Sequence, residues 1–252
     1  MILVALSTST LLEQPQDEVI QSYHFERMLK YSPYRVIRME NIMRNSSSIA
    51  NAATPEKLRS YMTRYDQYEE RITPGTSSTV PGTRPIFIRF NQQTYNLFQD
   101  YSYEQYAKGV NKFLSKKQVD TNGTQIAIIC HEISPRRLKK YFPKSKLYDG
   151  GVDCFDGVKV AKYYSISEQS LSTQKQDVRD WLKSGGILIT NAAQFEGAEA
   201  DIVILVIENM GSCVLSLRSY LTRGVADFCI VAANDRDLSM EAIEKQFDIW
   251  YV

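Results

Sequence analysis

The 252-residue chain lacks the glycine loops that commonly cradle phosphate groups. Neither G-x-x-x-x-G-K-[ST] nor G-x-G-x-x-G occurs, so the sequence offers no obvious phosphate cradle of its own. The longest apolar runs, near Ile202–Ile207 and Ile126–Cys130, fall far short of the roughly 20 residues of a membrane span. With 30 basic and 29 acidic residues, the net charge of +1 gives no global basic field for nucleic acid. We expect no membrane partner and an intracellular location, nuclear or cytoplasmic.

Histidine and cysteine are scarce, with two and four residues respectively. The cysteines have no C-x-x-C spacing, so we expect neither a metal site nor a disulfide framework, but buried thiols in a reducing compartment. His24 lies in a charged helical pattern typical of a solvated side chain. His131 follows a predicted strand, where ligands of α/β proteins often bind. No Ser-His-Asp or metal-binding constellation can be assembled from the spacing.

A loop rich in Pro, Gly, Ser and Thr, Thr73–Arg84, is the clearest shift in composition. It predicts a division into an N-terminal segment, residues 1–85, that ends in a flexible loop at 73–84, and a main domain, residues 86–252. Within the first segment the patterns predict two strands, Ile2–Leu6 and Tyr34–Met39, and a helix, Asp17–Lys30.

Strand and helix patterns alternate after this loop, which predicts an α/β fold. The predicted strands are Ile86–Phe90, Gln125–Cys130, Val158–Tyr164, Gly186–Thr190, Ile202–Glu208 and Phe228–Ala233. The predicted helices are Tyr103–Leu114, Pro135–Phe142, Leu171–Lys183, Val214–Thr222 and Met240–Phe247. Two of the strands are continuously apolar, which is typical of central parallel strands buried on both faces. We therefore expect a mostly parallel sheet with helices on both faces.

Three short segments, in order, carry a joint signal. RMENIMRNSSSIANAA (Arg38–Ala53) places an arginine before a serine-rich helix start. ITNAAQFEGAEADIVILVIEN (Ile189–Asn209) is a strand, a turn and a buried strand. LSLRSYLTRGVADFCIVAAN (Leu215–Asn234) is a helix that ends in T-R-G, followed by another buried strand.

Together these segments resemble motifs IV, V and VI of the second RecA-like domain of superfamily 1 helicases, of the UvrD/Rep or nonsense-mediated-decay type. MRNSSSI resembles motif IV, N-Y-R-S-x-x-x-I, at Arg44. QFEGAEADIVIL resembles motif V, A-F-Q-G-x-E-x-D, at Gly197 and Glu199. RSYLTRGVADFCIV resembles motif VI, Y-V-A-L-T-R-A, at Arg223. The resemblance implies a RecA-like, P-loop NTPase-type sheet and the C-terminal motor half of an ATP-dependent helicase.

The resemblance also implies roles for individual residues. Arg44 and Arg223 would act as arginine fingers on the β- and γ-phosphates of ATP, since a guanidinium stays charged and binds phosphoryl oxygens bidentately. Glu199 would accept hydrogen bonds from the ribose, and Gly197 would allow close backbone approach. Thr190 and Asn191 would contact single-stranded DNA or RNA. A first RecA-like domain, in cis or in trans, would hold most of the ATP and Mg²⁺, so the chain would hydrolyse nothing alone.

A basic segment, SPRRLKKYFPKSK (Ser134–Lys146), is a second candidate contact with nucleic acid. Arg136, Arg137 and Lys140 could neutralise phosphates, and the neighbouring Tyr141 and Phe142 could stack on bases. The alternative is a solvated helix whose aromatic side chains face the core. The two arginines also have simpler interpretations. Arg44 could be a solvated residue at the start of a helix, and Arg223 could complement the dipole at the end of a helix.

Two departures from the family pattern keep other functions open. Glu196 stands where motif V usually carries Lys or Gln, and Val225 replaces the second arginine of motif VI. Both favour a helicase-like interaction module that has lost its chemistry. A third alternative is an unrelated doubly wound α/β enzyme with His131 and Thr190 at its site.

Overall fold

In the part of the chain that the structure describes, seven strands form one sheet in which every pair is parallel. The computed structural model describes residues 45–54, 57, 60–61, 81–90, 99–119, 123–142, 154–155, 158–159, 163–165, 171–195, 198–210, 214–234 and 238–252. The strands are β1 Ile86–Arg89, β2 Gln125–His131, β3 Cys154–Phe155, β4 Val158–Lys159, β5 Tyr163–Ser165, β6 Gly186–Asn191, β7 Ala200–Asn209, β8 Gly224–Asn234 and β9 Asp248–Tyr251. The order across the sheet is β5-β6-β2-β7-β8-β1-β9, and β3 with β4 forms a separate antiparallel pair.

The four central strands, β6, β2, β7 and β8, confirm the expected parallel sheet. Ile126 of β2 pairs with Ile187 of β6 on one side and with Ile202 of β7 on the other. Val203 of β7 pairs in turn with Phe228 of β8. These residues are buried or nearly so, because both faces of the sheet are covered.

Helices cover both faces of the sheet, as expected. The helices are α1 Ser47–Ala52, α2 Gln99–Lys116, α3 Pro135–Tyr141, α4 Leu171–Ser184, α5 Val214–Leu221 and α6 Met240–Glu244. One face packs against α1, α4, α5 and α6 through residues such as Trp181 and Leu217. The other face packs against α2 and α3 through Val110 and Leu138. Within the described residues no helix is long and apolar enough to cross a bilayer.

One predicted strand, Val158–Tyr164, is wrong as a single element. Its two ends are separate short strands: β4 pairs with β3, whereas β5 joins the edge of the main sheet. The edge strand β9 was not predicted at all, because Asp248–Tyr251 offers only four residues directly after a helix. The predicted elements before residue 45 lie outside the described residues.

Local chemistry explains two of the element boundaries. The Ser134 hydroxyl accepts a hydrogen bond from Arg137 N at 3.4 Å, and Pro135 occupies the first turn, so α3 begins where the sequence predicts. Gly185 has a φ of +69° and donates its N–H to Trp181 O, which ends α4. A Cβ there would lie 2.6 Å from the backbone of Gly123, so glycine is required.

The described part of the N-terminal segment packs onto the sheet. Ile49, Ala52 and Tyr61 belong to the same core cluster as the central strands. The Tyr61 hydroxyl donates to Ala52 O at 2.9 Å, and burial raises its pKa. Thr83, in the described end of the predicted loop, donates to the Asp227 carboxylate at 2.6 Å. The division at residue 85 stays a prediction.

Candidate functional site

The predicted site residues lie at two edges of the sheet. Arg223 directly precedes β8 and Glu199 directly precedes β7, so both lie at the amino ends of central strands. Thr190 and Asn191 end β6, at the carboxyl edge. Arg44 and Gly197 lie outside the described residues. The nucleotide-binding and nucleic-acid-binding predictions therefore concern different edges.

Arg223 ties the end of α5 to the connection between β6 and β7. Its Nη1 donates to the backbone oxygens of Phe195 at 2.9 Å and Ala198 at 3.3 Å, and its Nη2 donates to the Ser219 hydroxyl at 3.2 Å. A backbone hydrogen bond joins the same two segments, since Ala200 N donates to Arg223 O at 3.1 Å. The guanidinium is half-buried, and these bonds hold it beside the motif V-like turn.

Asn45, in the motif IV-like segment, contacts the backbone next to Arg223. The buried Asn45 amide donates to Thr222 O at 2.9 Å and to Gly224 O at 2.6 Å, one residue on each side of Arg223. Ser46 N donates to Val225 O at 3.1 Å. The neighbour of Arg44 in the sequence is thus bonded to the backbone around Arg223, so the structure brings the three segments together.

A β-bulge at the start of β8 makes part of this junction. Ala200 pairs with Gly224 and Ile202 with Asp227, so Val225 and Ala226 lie opposite a single residue of β7. A bulge leaves a residue outside the regular ladder, which makes the Val225 oxygen available to Ser46. Val225 and Ala226 are exposed, so this corner of the sheet is open to solvent.

One of the solved structures that this chain is similar to comes from a possible helicase. It is the crystal structure of the C-terminal domain of a possible DNA helicase from Lactobacillus plantarum WCFS1, which is 12% identical to this chain. The match covers 82% of this chain and 98% of that one, with a TM-score of 0.44. Neither a protein-family model nor a curated protein matches the chain.

At the carboxyl edge, Thr190 and Asn191 shape the turn that follows β6. Asn191 Oδ1 accepts a hydrogen bond from Gln194 N at 2.8 Å, which caps the short 3₁₀ helix Ala193–Phe195. The Thr190 hydroxyl is buried and lies 3.4 Å from Gln194 Oε1. Only eight residues connect β6 to β7, fewer than the dozen or more usual between parallel strands, so they must return from the carboxyl edge to the amino edge with little chain to spare. The predicted contacts of Thr190 and Asn191 with nucleic acid stay predictions.

The basic helix α3 follows β2 at the same edge. Arg136, Arg137 and Lys140 are exposed, as a contact with phosphates requires. The aromatic side chains face inward instead: Phe142 is buried, and Tyr141 stacks on Tyr103 with ring centres 5.9 Å apart. The helix therefore presents charge to solvent, while these aromatic side chains pack inside.

His131 forms a pair with Tyr220 that the sequence did not reveal. His131 Nδ1 lies 2.9 Å from the Tyr220 hydroxyl, and the two rings meet edge to face at 5.8 Å. Burial lowers the pKa of His131, and the nearby Glu132 carboxylate opposes this shift. The pair therefore joins the carboxyl end of β2 to α5.

Asn45, Ser219 and Tyr220 are the contact residues that sequence reasoning missed. Asn45 had one usable signal, its position beside Arg44 in the motif IV-like segment. Ser219 lies four residues before Arg223, a helical spacing that places two side chains on one face. Tyr220 had none, because 89 residues separate it from His131. Among the described residues no cluster of His, Cys, Asp or Glu is able to hold a metal ion.

Proposed function

We propose that this chain is the C-terminal motor half of a superfamily 1 helicase. It would contribute Arg44, Gly197, Glu199 and Arg223 to an ATP site completed by a first RecA-like domain. The observation that carries the proposal is the junction around Arg223: Asn45 bonds the backbone on both sides of it, and Arg223 itself bonds the backbone at Phe195 and Ala198. Residues from three distant segments meet there, as a shared nucleotide site requires.

The chemistry of the junction suits an anion from another domain. Arg223 is half-buried at an edge of the sheet, where its planar, permanently charged fork can bind two phosphoryl oxygens. Its present acceptors include backbone oxygens, and a charge-assisted bond to phosphate is about twice as strong as a neutral one. Glu199 is half-buried two residues before Asp201 and would accept hydrogen bonds from ribose hydroxyls. The Mg²⁺ and most contacts to ATP are assigned to the first domain.

The carboxyl edge would form one wall of the nucleic-acid track. Exposed Arg136, Arg137 and Lys140 would neutralise phosphates of single-stranded DNA or RNA. Asn191 would contribute a hydrogen bond at the end of β6. The Thr190 side chain is buried, so it would not touch the strand itself. It would instead support the connection that follows β6.

Ligand-observed NMR with ATP tests the nucleotide part of this proposal. Wild-type protein should bind ATP weakly, Arg223→Gln should lose most of the signal, and Arg223→Lys should retain part of it, because charge remains without the fork. Arg179→Gln, at an exposed position on α4, is the matched control and should bind as wild type. Equal binding by wild type and Arg223→Gln would overturn the proposal. The chain alone should not hydrolyse ATP.

A second candidate is a helicase-like interaction module without catalytic chemistry. The observation that favours it is that Arg223 already donates three hydrogen bonds to oxygens of its own chain. In that case Arg223→Gln should lower the free energy of unfolding, and no variant should change the response to ATP. Urea unfolding and ATP titration of the same variant separate the two functions.

A further inference from the structure

We infer that the edge of the sheet formed by α2 and β9 is a binding surface for single-stranded nucleic acid, separate from the track proposed above. The surface consists of Lys108, Lys112, Lys116, Arg89, Trp250 and Tyr251. It does not depend on the proposed helicase function, because it rests on the charge and aromatic geometry of this edge alone.

The cations of this surface are arranged in a row. Lys108, Lys112 and Lys116 follow one another at four-residue spacing on α2, so they lie along one side of the helix. Neighbours in the row are about 6 Å apart along the helix axis. Among the described residues, the ion pair in this row is that of Glu104 with Lys108 at 2.9 Å, at the first end of the row.

The row lies against the edge strand, beside the Trp250 ring and the backbone of Tyr251. Lys116 Nζ is 4.1 Å from the centre of the Trp250 ring, and Lys112 Nζ donates to Tyr251 O. On the neighbouring residue, Arg89 Cζ is 5.9 Å from the centre of the Tyr251 ring. Successive strand residues point to opposite faces, so cations flank this edge on both faces.

Tyr251 supplies a surface on which a base can stack. It is 50% exposed, and among the described residues it is the one aromatic side chain in the small set of exposed large apolar residues, with Leu182 and Val225. β9 is the last strand of the sheet, and among the described residues no strand pairs with its outer side. Cations that follow a backbone, together with aromatic rings that stack on bases, are the combination that binds single strands without sequence preference.

The chemistry favours a polyanion with bases over an acidic protein. An acidic protein would use the lysines but would not need the half-exposed Tyr251 ring beside Arg89. A second role for edge lysines is to prevent strand pairing with another chain. That role predicts no binding at all, so the two roles are distinguishable.

Fluorescence anisotropy with a labelled oligo(dT) strand at several salt concentrations tests the inference. It should be run in an Arg136→Gln, Arg137→Gln, Lys140→Gln background, so that binding at α3 does not contribute. Adding Lys112→Gln and Lys116→Gln should weaken binding and lower the slope of log K against log salt by about 1.4, roughly 0.7 for each phosphate contact. The matched control pair, Lys183→Gln and Lys245→Gln, should leave the slope unchanged.

Stacking is tested separately at Tyr251. Tyr251→Leu should weaken binding by about fivefold or more, whereas Tyr251→Phe should bind as wild type because the ring remains. Oligo(dT) should also quench the emission of Trp250 in wild type. The inference is overturned if both lysine pairs have equal effects, or if no binding remains in the α3-neutralised background. It is also overturned if Tyr251→Leu binds as wild type while polyglutamate displaces the strand, which would indicate an acidic protein partner.

Discussion

Nη1 of Arg223 donates to the backbone oxygen of Phe195 across 2.9 Å, and so links two segments that are 28 residues apart. Phe195 ends the 3₁₀ helix in the short connection between β6 and β7. A phosphate bound to Arg223 would compete for the same N–H groups. Anion binding at Arg223, as proposed above, would therefore be coupled to the position of this connection.

Asn45 should be a stabilising residue, because its amide is buried and bonded to two backbone oxygens. Asn45→Ala leaves both oxygens without this donor and should lower the free energy of unfolding by about 2 kcal/mol. Asn51→Ala is the control, since the Asn51 amide makes an exposed bond to Gln246 at 3.3 Å. Urea unfolding of both variants measures the difference, and equal losses would contradict the assignment.

Phe195 should anchor the connection between β6 and β7. Its side chain is 2% exposed and meets Trp181 edge to face at 6.3 Å. Phe195→Ala should cost about 3–5 kcal/mol by removing a buried ring. Leu182→Ala, at a 52% exposed position, should change stability by less than about 0.5 kcal/mol. Thermal unfolding compares the two, and a small effect at Phe195 would mean that the connection is not held by this ring.

The pH dependence of stability should report on His131. Its pKa in the folded protein lies below the ordinary value of 6.5, so the unfolded chain binds more protons between the two values. The contribution of His131 to the free energy of unfolding is therefore fully present above pH 6.5. It is lost progressively as the pH falls from 6.5 toward the pKa of the folded state. His131→Gln should flatten this part of the profile, and His24→Gln serves as the comparison for removing an imidazole. An unchanged profile in His131→Gln would argue against a depressed pKa.

The charges of α3 should matter for nucleic acid and not for folding. Replacing Arg136, Arg137 and Lys140 by Gln should weaken oligo(dT) binding and lower the salt slope by about 2, roughly 0.7 for each contact. The exposed pair Lys183 and Lys245 gives the control. Anisotropy and thermal unfolding are read on the same samples. Binding that is lost equally in the control would reflect net charge instead of a track.

The sequence predicts the central sheet well, because continuous apolar runs such as those in β2 and β7 identify strands buried on both faces. Capping chemistry at Ser134 and glycine at 185 identifies helix ends for similarly local reasons. Each of these signals depends on residues within a few positions of one another. The local patterns therefore carry the fold class and most elements.

Local sequence patterns do not predict the long-range contacts of the structure. Nothing in the local sequence places Asn45 beside Gly224, because 179 residues separate them. The bulge at Val225 depends on the register between β7 and β8, which periodicity does not specify. The resemblance to helicase motifs singled out Arg223, yet only the structure shows the oxygens that it bonds.

The most direct measurement is an amide NMR titration of the isolated chain with ATP. The account predicts chemical-shift changes that cluster at Asn45–Ser46, at the described residues between Phe195 and Ala200, and at Thr222–Val225, and that disappear in Arg223→Gln. Changes centred instead on His131 and Thr190 would contradict it and favour an enzyme with its site at the carboxyl edge. No changes in wild type at millimolar ATP would also contradict it and favour the module without catalytic chemistry.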